Sequence, residues 1–119
     1  MAAETDDVIY KIVTSEQWAA AEKAGLFKGA PIDLADGYIH FSTAEQARET
    51  AAKHFAGQQD LLLIKVSSSL IADKLVYEPS RGGALFPHLY GDLPLSAVIG
   101  AVDLPLGADG RHRFPGEIA

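Results

Sequence analysis

The sequence predicts an α+β fold: one domain with a mixed or mainly antiparallel β-sheet, open to being split, and two early helices. Two well-punctuated helical segments fall in the first half of the chain. Runs of β-branched and aromatic residues outnumber them and continue to the C-terminal end. No internal repeat or shift in composition marks a second domain. The 119 residues suffice for one core, with 1–7 read as a loose acidic tail and 8–119 as the globular part.

Val8-Ile9-Tyr10-Lys11-Ile12-Val13 reads as the first strand. A helix follows. Thr14 can cap it, Gln17 completes a capping box, and Val13 with Trp18 forms a hydrophobic staple. Gly25 occupies the favoured stop position. Leu26 to Asp36 holds two glycines and a proline and is expected to be a loop, with Asp36-Gly37 as a turn.

Tyr38 to Phe41 is a short strand in which Tyr38 and His40 share a face. A second helix starts at Ser42 or Thr43, each followed three residues later by Glu45 or Gln46. Ala44, Ala47, Ala51 and Phe55 form its apolar stripe, and Gly57 is the expected stop. Leu61 to Val66 is the most apolar run and reads as a central strand. Leu75 to Glu78 is another strand, followed by a glycine-rich loop from Pro79 to Leu85. Ala97 to Leu104 is a late strand, and Asp109-Gly110 before Arg111 to Phe114 suggests a final hairpin or edge strand.

Composition excludes several function classes. There is no cysteine, which removes thiol catalysis, disulfides and thiolate metal sites. A net charge of -6 argues against a nucleic-acid partner bound by counterion release. No apolar run approaches membrane-spanning length and the start of the chain is acidic, so no membrane is expected and a cytoplasmic location is. The pattern specifies no oligomeric state.

Two segments carry the chemistry: Gly37-Tyr38-Ile39-His40-Phe41-Ser42-Thr43 and Phe86-Pro87-His88-Leu89-Tyr90-Gly91. Each sets a histidine where a plain core strand would use an aliphatic residue. His40 runs straight into a helix start, where hydroxyls and unpaired N–H groups suit an anion or phosphate. A half-buried, satisfied imidazole is the competing reading. Ser42 and Thr43 are also explained by helix capping. Proline before His88 and glycine after it point to a strand edge. There, His88 and Tyr90 line a pocket wall or form an exposed turn.

Glu78 ends a strand beside a loop, as an acid–base carboxylate or a surface ion-pair partner, and Arg81 in that loop is a ligand-binding candidate. Lys11 is the sole charge of the first strand, either a ligand or a snorkelling edge residue. His40, Glu78 and His88 lack metal-motif spacing, so no metal is assigned. His54 and His112 are given to surface or packing.

The chain resembles the bacterial domain-of-unknown-function family 952. The likeness rests on Gly37 to Thr43 continuing into Ala44-Glu45-Gln46, on Phe55-Ala56-Gly57-Gln58, on Glu78, and on Phe86 to Gly91 followed by Leu93. More distantly it is similar to the ADP-ribosyltransferase superfamily, which holds NAD between two small sheets. That resemblance implies a first-strand site at Lys11, a second at His40, Ser42 and Thr43, and a late acid at Glu78. Lys11 departs from the histidine usual at its position; a lysine only donates, which suits a phosphate.

The expected function is thus a pocket for an anionic or nucleotide-like small molecule, with NAD as the implied cofactor. His40, Glu78 and His88 are the catalytic candidates. Lys11, Tyr38, Ser42, Thr43, Arg81 and Tyr90 are the ligand-binding ones. A non-catalytic binding module and a structural or interaction domain are the alternatives.

Overall fold

The structure, a computed structural model, describes residues 7–79 and 83–115. Most of the predicted tail and Arg81 lie outside the described residues.

The first strand, β1 (Val8–Thr14), runs into helix α1 (Ser15–Ala24). Both halves of the expected capping box form: Gln17 N–H donates to Thr14 Oγ1 and Thr14 N–H to Gln17 Oε1, each at 3.0 Å. Val13 and Trp18 meet in the larger core, and Gly25 closes the helix at φ 87°.

The expected loop from Leu26 to Asp36 is overturned. It holds a two-residue strand, β2 (Leu26–Phe27), and a six-residue helix, α2 (Pro31–Asp36). Proline opens this helix, where a missing N–H costs nothing, and Asp33 Oδ2 accepts the Ala30 N–H at 2.7 Å. The expected Asp36-Gly37 turn is the end of α2, with Gly37 as its cap.

Strand β3 (Ile39–His40) leads through Thr43, the cap, into α3 (Ala44–His54). This helix ends at Phe55 rather than at Gly57, which sits in the turn beyond. Ala47 and Ala51 are buried on its inner face, with Ala44 and Phe55 packed beside them. Strand β4 (Leu61–Ser67) and a 3₁₀ segment (Ser68–Lys74) follow. Next come β5 (Leu75–Pro79), β6 (Leu85–Leu89), β7 (Leu93–Pro94) and β8 (Val98–Asp103). The expected late hairpin is reduced to one bridge between Leu106 and His112.

The sheet is split. Order β1-β4-β8 makes one three-stranded sheet, β3-β6-β5 another, and β2-β7 a two-stranded ribbon, every pairing antiparallel. β4 is central, as its apolar run implies. Ile64 and Val66 enter the larger core while Leu61 and Leu63 enter the smaller, so both faces are covered.

The two larger sheets are joined where Tyr10 and Ser42 exchange backbone hydrogen bonds, both at 2.8 Å. That seam brings β1 beside β3. No helix among the described residues is long and apolar enough to cross a membrane.

Candidate functional site

Antiparallel pairing of β3 with β6 sets His40 directly opposite His88. Alternation then brings Tyr38, two residues before His40, and Tyr90, two after His88, to the same side. The four rings form one cluster. Tyr38 stacks on His88 at 4.2 Å between centroids, with Tyr90 5.2 Å away, and the imidazoles meet edge to face at 5.4 Å. The edge position expected of His88 is corrected: β6 is the middle strand of its sheet. Pro87 is tolerated there because its carbonyl still serves the neighbouring strand, accepting the Phe41 N–H at 2.9 Å. An exposed turn at His88 is likewise excluded, since the ring is 3% exposed.

Each imidazole is backed by a carboxylate. His88 Nδ1 lies 2.7 Å from Glu78 Oε1, and the same oxygen accepts the Tyr90 hydroxyl at 2.7 Å. These two hydrogen bonds hold the Glu78 carboxyl below its ordinary value, His88 contributing most. Reciprocally, donating to Glu78 pushes the Tyr90 phenol up to about 12.

His40 Nδ1 lies 2.6 Å from Asp33 Oδ1, and its Nε2 lies 2.9 Å from Asp36 Oδ2. Only a ring protonated on both nitrogens can donate to both carboxylates.

Asp33, placed in a loop by sequence reasoning, is the centre of the arrangement and was missed. It is 2% exposed and holds three elements together. Its Oδ1 accepts from Lys11 Nζ and the His40 backbone N–H, both at 3.1 Å, besides the His40 ring; its Oδ2 accepts the Ala30 N–H. Burial alone would raise its carboxyl. The His40 hydrogen bond, the Lys11 charge and the backbone donors outweigh that and lower it to about 2.

A signal for Asp33 existed: proline at the first helical position with an acid two residues on marks a helix start. Lys11 does not snorkel. It is buried, 3.0 Å from Asp33 Oδ2, and desolvation pushes its ammonium below the ordinary value despite that partner.

The hydroxyls fall to the fold. Ser42 is buried with Oγ 2.8 Å from Thr50 Oγ1, and Thr43 Oγ1 caps α3 by accepting the Gln46 N–H. His112 is a packing residue bonded through Nε2 to the Gln58 carbonyl at 2.8 Å.

A cleft of about 620 Å³ opens over this region, within the roughly 300–1,000 Å³ usual for small-molecule sites. Lys11, Tyr38, His40, Ser42 and His88 line it, together with Asp36, Phe86 and the α3 side chains Gln46, Glu49 and Lys53. Glu78 and Tyr90 stand behind His88 rather than on the wall. The described residues contain no cluster of three or more metal-ligating side chains.

The geometry can be set beside known proteins. A family described as "Protein of unknown function (DUF952)" matches residues 12–101. The crystal structure of protein CC0527 from Caulobacter crescentus superposes with a TM-score of 0.89 at 48% identity. The match covers 93% of this chain and 97% of that one. The solution structure of CC0527 gives 0.81 at 50% identity, over 89% and 91% of the two chains. No curated protein matches.

Proposed function

The chain belongs to the DUF952 family, whose description assigns no activity, and we propose that its cleft binds an anionic, nucleotide-like small molecule. One observation carries this reading: two carboxylate-backed imidazoles face each other on the wall of a single cleft. His40, with a carboxylate oxygen against each ring nitrogen, supplies a polar contact that attracts an anion when the ring is doubly protonated. His88 supplies a second polar contact. Tyr38 and Phe86 supply aromatic surface for a planar base.

The finer ADP-ribosyltransferase reading needs a free donor on β1 and free hydroxyls after His40. Lys11 is bound to Asp33, Ser42 to Thr50, and Thr43 caps a helix. These residues do not fit that donor set as they stand, and NAD is a ligand to test.

Calorimetric titration with AMP, ADP-ribose and NAD, with nicotinamide release followed in parallel, tests the proposal. The expected result is binding of at least one ligand in the micromolar range, lost in a folded His40→Ala variant. Release of nicotinamide would revive the transferase reading. Absence of binding by all three would leave a structural or interaction domain.

A further inference from the structure

The two imidazoles are held in different ways. His88 is buried, its Nδ1 is taken by Glu78, and its Nε2 has no partner among the described residues. Yet no buried side-chain nitrogen or oxygen among those residues is left unpaired. Nε2 is therefore the atom by which this ring reaches the cleft that it lines. With a proton on Nδ1 facing the carboxylate, Nε2 presents a lone pair. His40 is the opposite case, with a carboxylate oxygen set against each of its ring nitrogens, an arrangement that suits a doubly protonated ring. The placement of the carboxylates suits one ring to taking a proton and the other, when doubly protonated, to giving one.

Among the described residues, the hydroxyls that follow His40 are engaged in the fold. The chain has no cysteine, and the hydroxyls of Ser42 and Thr43 are committed to Thr50 and the α3 cap. An attacking group from outside suits this arrangement, and water is the one always present.

Resting on the binding reading above, we propose that the cleft hydrolyses a cyclic phosphodiester of a small ribonucleoside, with His88 as general base and His40 as general acid. Such a substrate supplies the anion that His40 attracts, the base that Tyr38 and Phe86 stack, and a strained ester that acid–base catalysis can open. The net charge of -6 favours a small nucleotide over a polynucleotide.

In the step, His88 Nε2 takes a proton from water as the water oxygen bonds to phosphorus. The bond from phosphorus to one ribose oxygen breaks. His40 Nε2 releases its contact with Asp36 and passes its proton to that oxygen. One water is consumed and a phosphomonoester is formed. His88 has gained the proton that His40 has lost, and exchange with solvent resets both.

The test follows 2′,3′-cyclic AMP by phosphorus NMR, with binding of 3′-AMP measured by calorimetry on the same samples. The wild type is expected to produce the monoester with a bell-shaped pH profile. The groups facing His88 are Glu78 on β5, Tyr90 beyond β6, and Tyr38 and His40. Those facing His40 are Asp33 and Asp36 on α2, together with Tyr38 and His88.

His88→Gln and His40→Gln should each lower turnover by about 100-fold or more. Because His88 is buried, Glu78→Gln provides a second arm at a less buried carboxylate. It should cut turnover at least about 10-fold and move the acid limb of the profile. Turnover indifferent to all three variants overturns the inference. So does a wild type that binds 3′-AMP without forming product, and then the binding proposal stands. A wild type that neither binds nor turns over removes both.

Discussion

Lys11 Nζ lies 3.1 Å from Oδ1 and 3.0 Å from Oδ2 of Asp33, with both side chains withdrawn from solvent. The pair ties β1 to α2 and, through His40, to β3. Removing one partner strands the other charge in the interior, whereas removing both leaves little to solvate. Asp33→Ala is therefore expected to cost about 3–5 kcal/mol in urea unfolding. Lys11→Met should cost less, because the His40 ring, the His40 backbone N–H and the Ala30 N–H still contact Asp33. The Lys11→Met/Asp33→Ala double variant should recover part of the loss, giving a coupling energy above about 1 kcal/mol in the double-mutant cycle. Additive losses would show that the pair is not coupled.

Asp33 also sets an acid limit on stability. Its folded-state carboxyl is lowered from 3.8 to about 2, so the stabilisation is complete above the unfolded value and lost as pH falls through the folded one. A shift of that size is worth about 2 kcal/mol. The wild type should lose roughly this much between pH 4 and pH 2 through Asp33, beyond what its other carboxylates lose. Asp33→Asn, less stable throughout, should have a correspondingly shallower slope in that window. Parallel slopes in urea titrations of the two proteins would contradict the assignment.

On the other side of the cluster, Tyr90 donates to a carboxylate that His88 already holds. Its phenol is pushed up to about 12, so one tyrosine should ionise late in an ultraviolet titration. Tyr90→Phe should delete that late component, and Glu78→Gln should move it down towards the ordinary value near 10. A titration of Glu78→Gln indistinguishable from wild type would mean that the Tyr90–Glu78 bond does not form in solution.

Capping residues and ligand residues separate by a similar logic. Thr43 accepts the Gln46 N–H at the start of α3, and Ser42 bonds Thr50 away from the imidazole cluster. Thr43→Ala should cost about 1 kcal/mol of stability, within the usual span for a lost cap. Ser42→Ala should cost no more than that, by leaving a half-buried hydroxyl of Thr50 without its Ser42 partner. Neither should change the affinity of any ligand that His40 binds by more than about twofold. A larger loss of affinity in a folded Ser42→Ala protein would return that hydroxyl to the site.

What was legible in the sequence follows the range of the forces involved. α1 and α3 could be read because Thr14 with Gln17 and Thr43 with Gln46 satisfy the helix ends within four residues. Tyr38, His40, His88 and Tyr90 could be placed on faces because alternation along a strand is local.

α2 could not be read by periodicity. It spans six residues, and its Ile32 and Leu34 are 60% and 66% exposed, so no buried apolar stripe announces it. So short a helix pays its nucleation cost through Asp33, whose partners Lys11 and His40 lie 22 and 7 residues away. For the same reason Lys11 looked like a surface residue: its counter-charge sits on an element that only tertiary contact stabilises. The strand holding His88 looked like an edge because proline removes a donor, but the bond that β6 gives Phe41 uses the carbonyl of Pro87.

The tightest steric test of this arrangement lies outside the cluster, at Gly29. Its φ is +126°, and a Cβ placed there would sit 2.9 Å from the Cβ of Asp33. The obstacle is the root of a side chain pinned by Lys11, His40 and Ala30, so it cannot swing aside without breaking those bonds. Gly29→Ala should therefore destabilise by more than the roughly 1 kcal/mol expected from backbone strain alone. It should also weaken any ligand held by His40, because the ring loses its fixed carboxylate. Gly37→Ala is the control. Its φ of +88° lies nearer the left-handed region and its Cβ would meet nothing within 4 Å, so stability should fall by less while affinity holds. Equal effects of the two substitutions on affinity would show that the position of Asp33 does not govern the site.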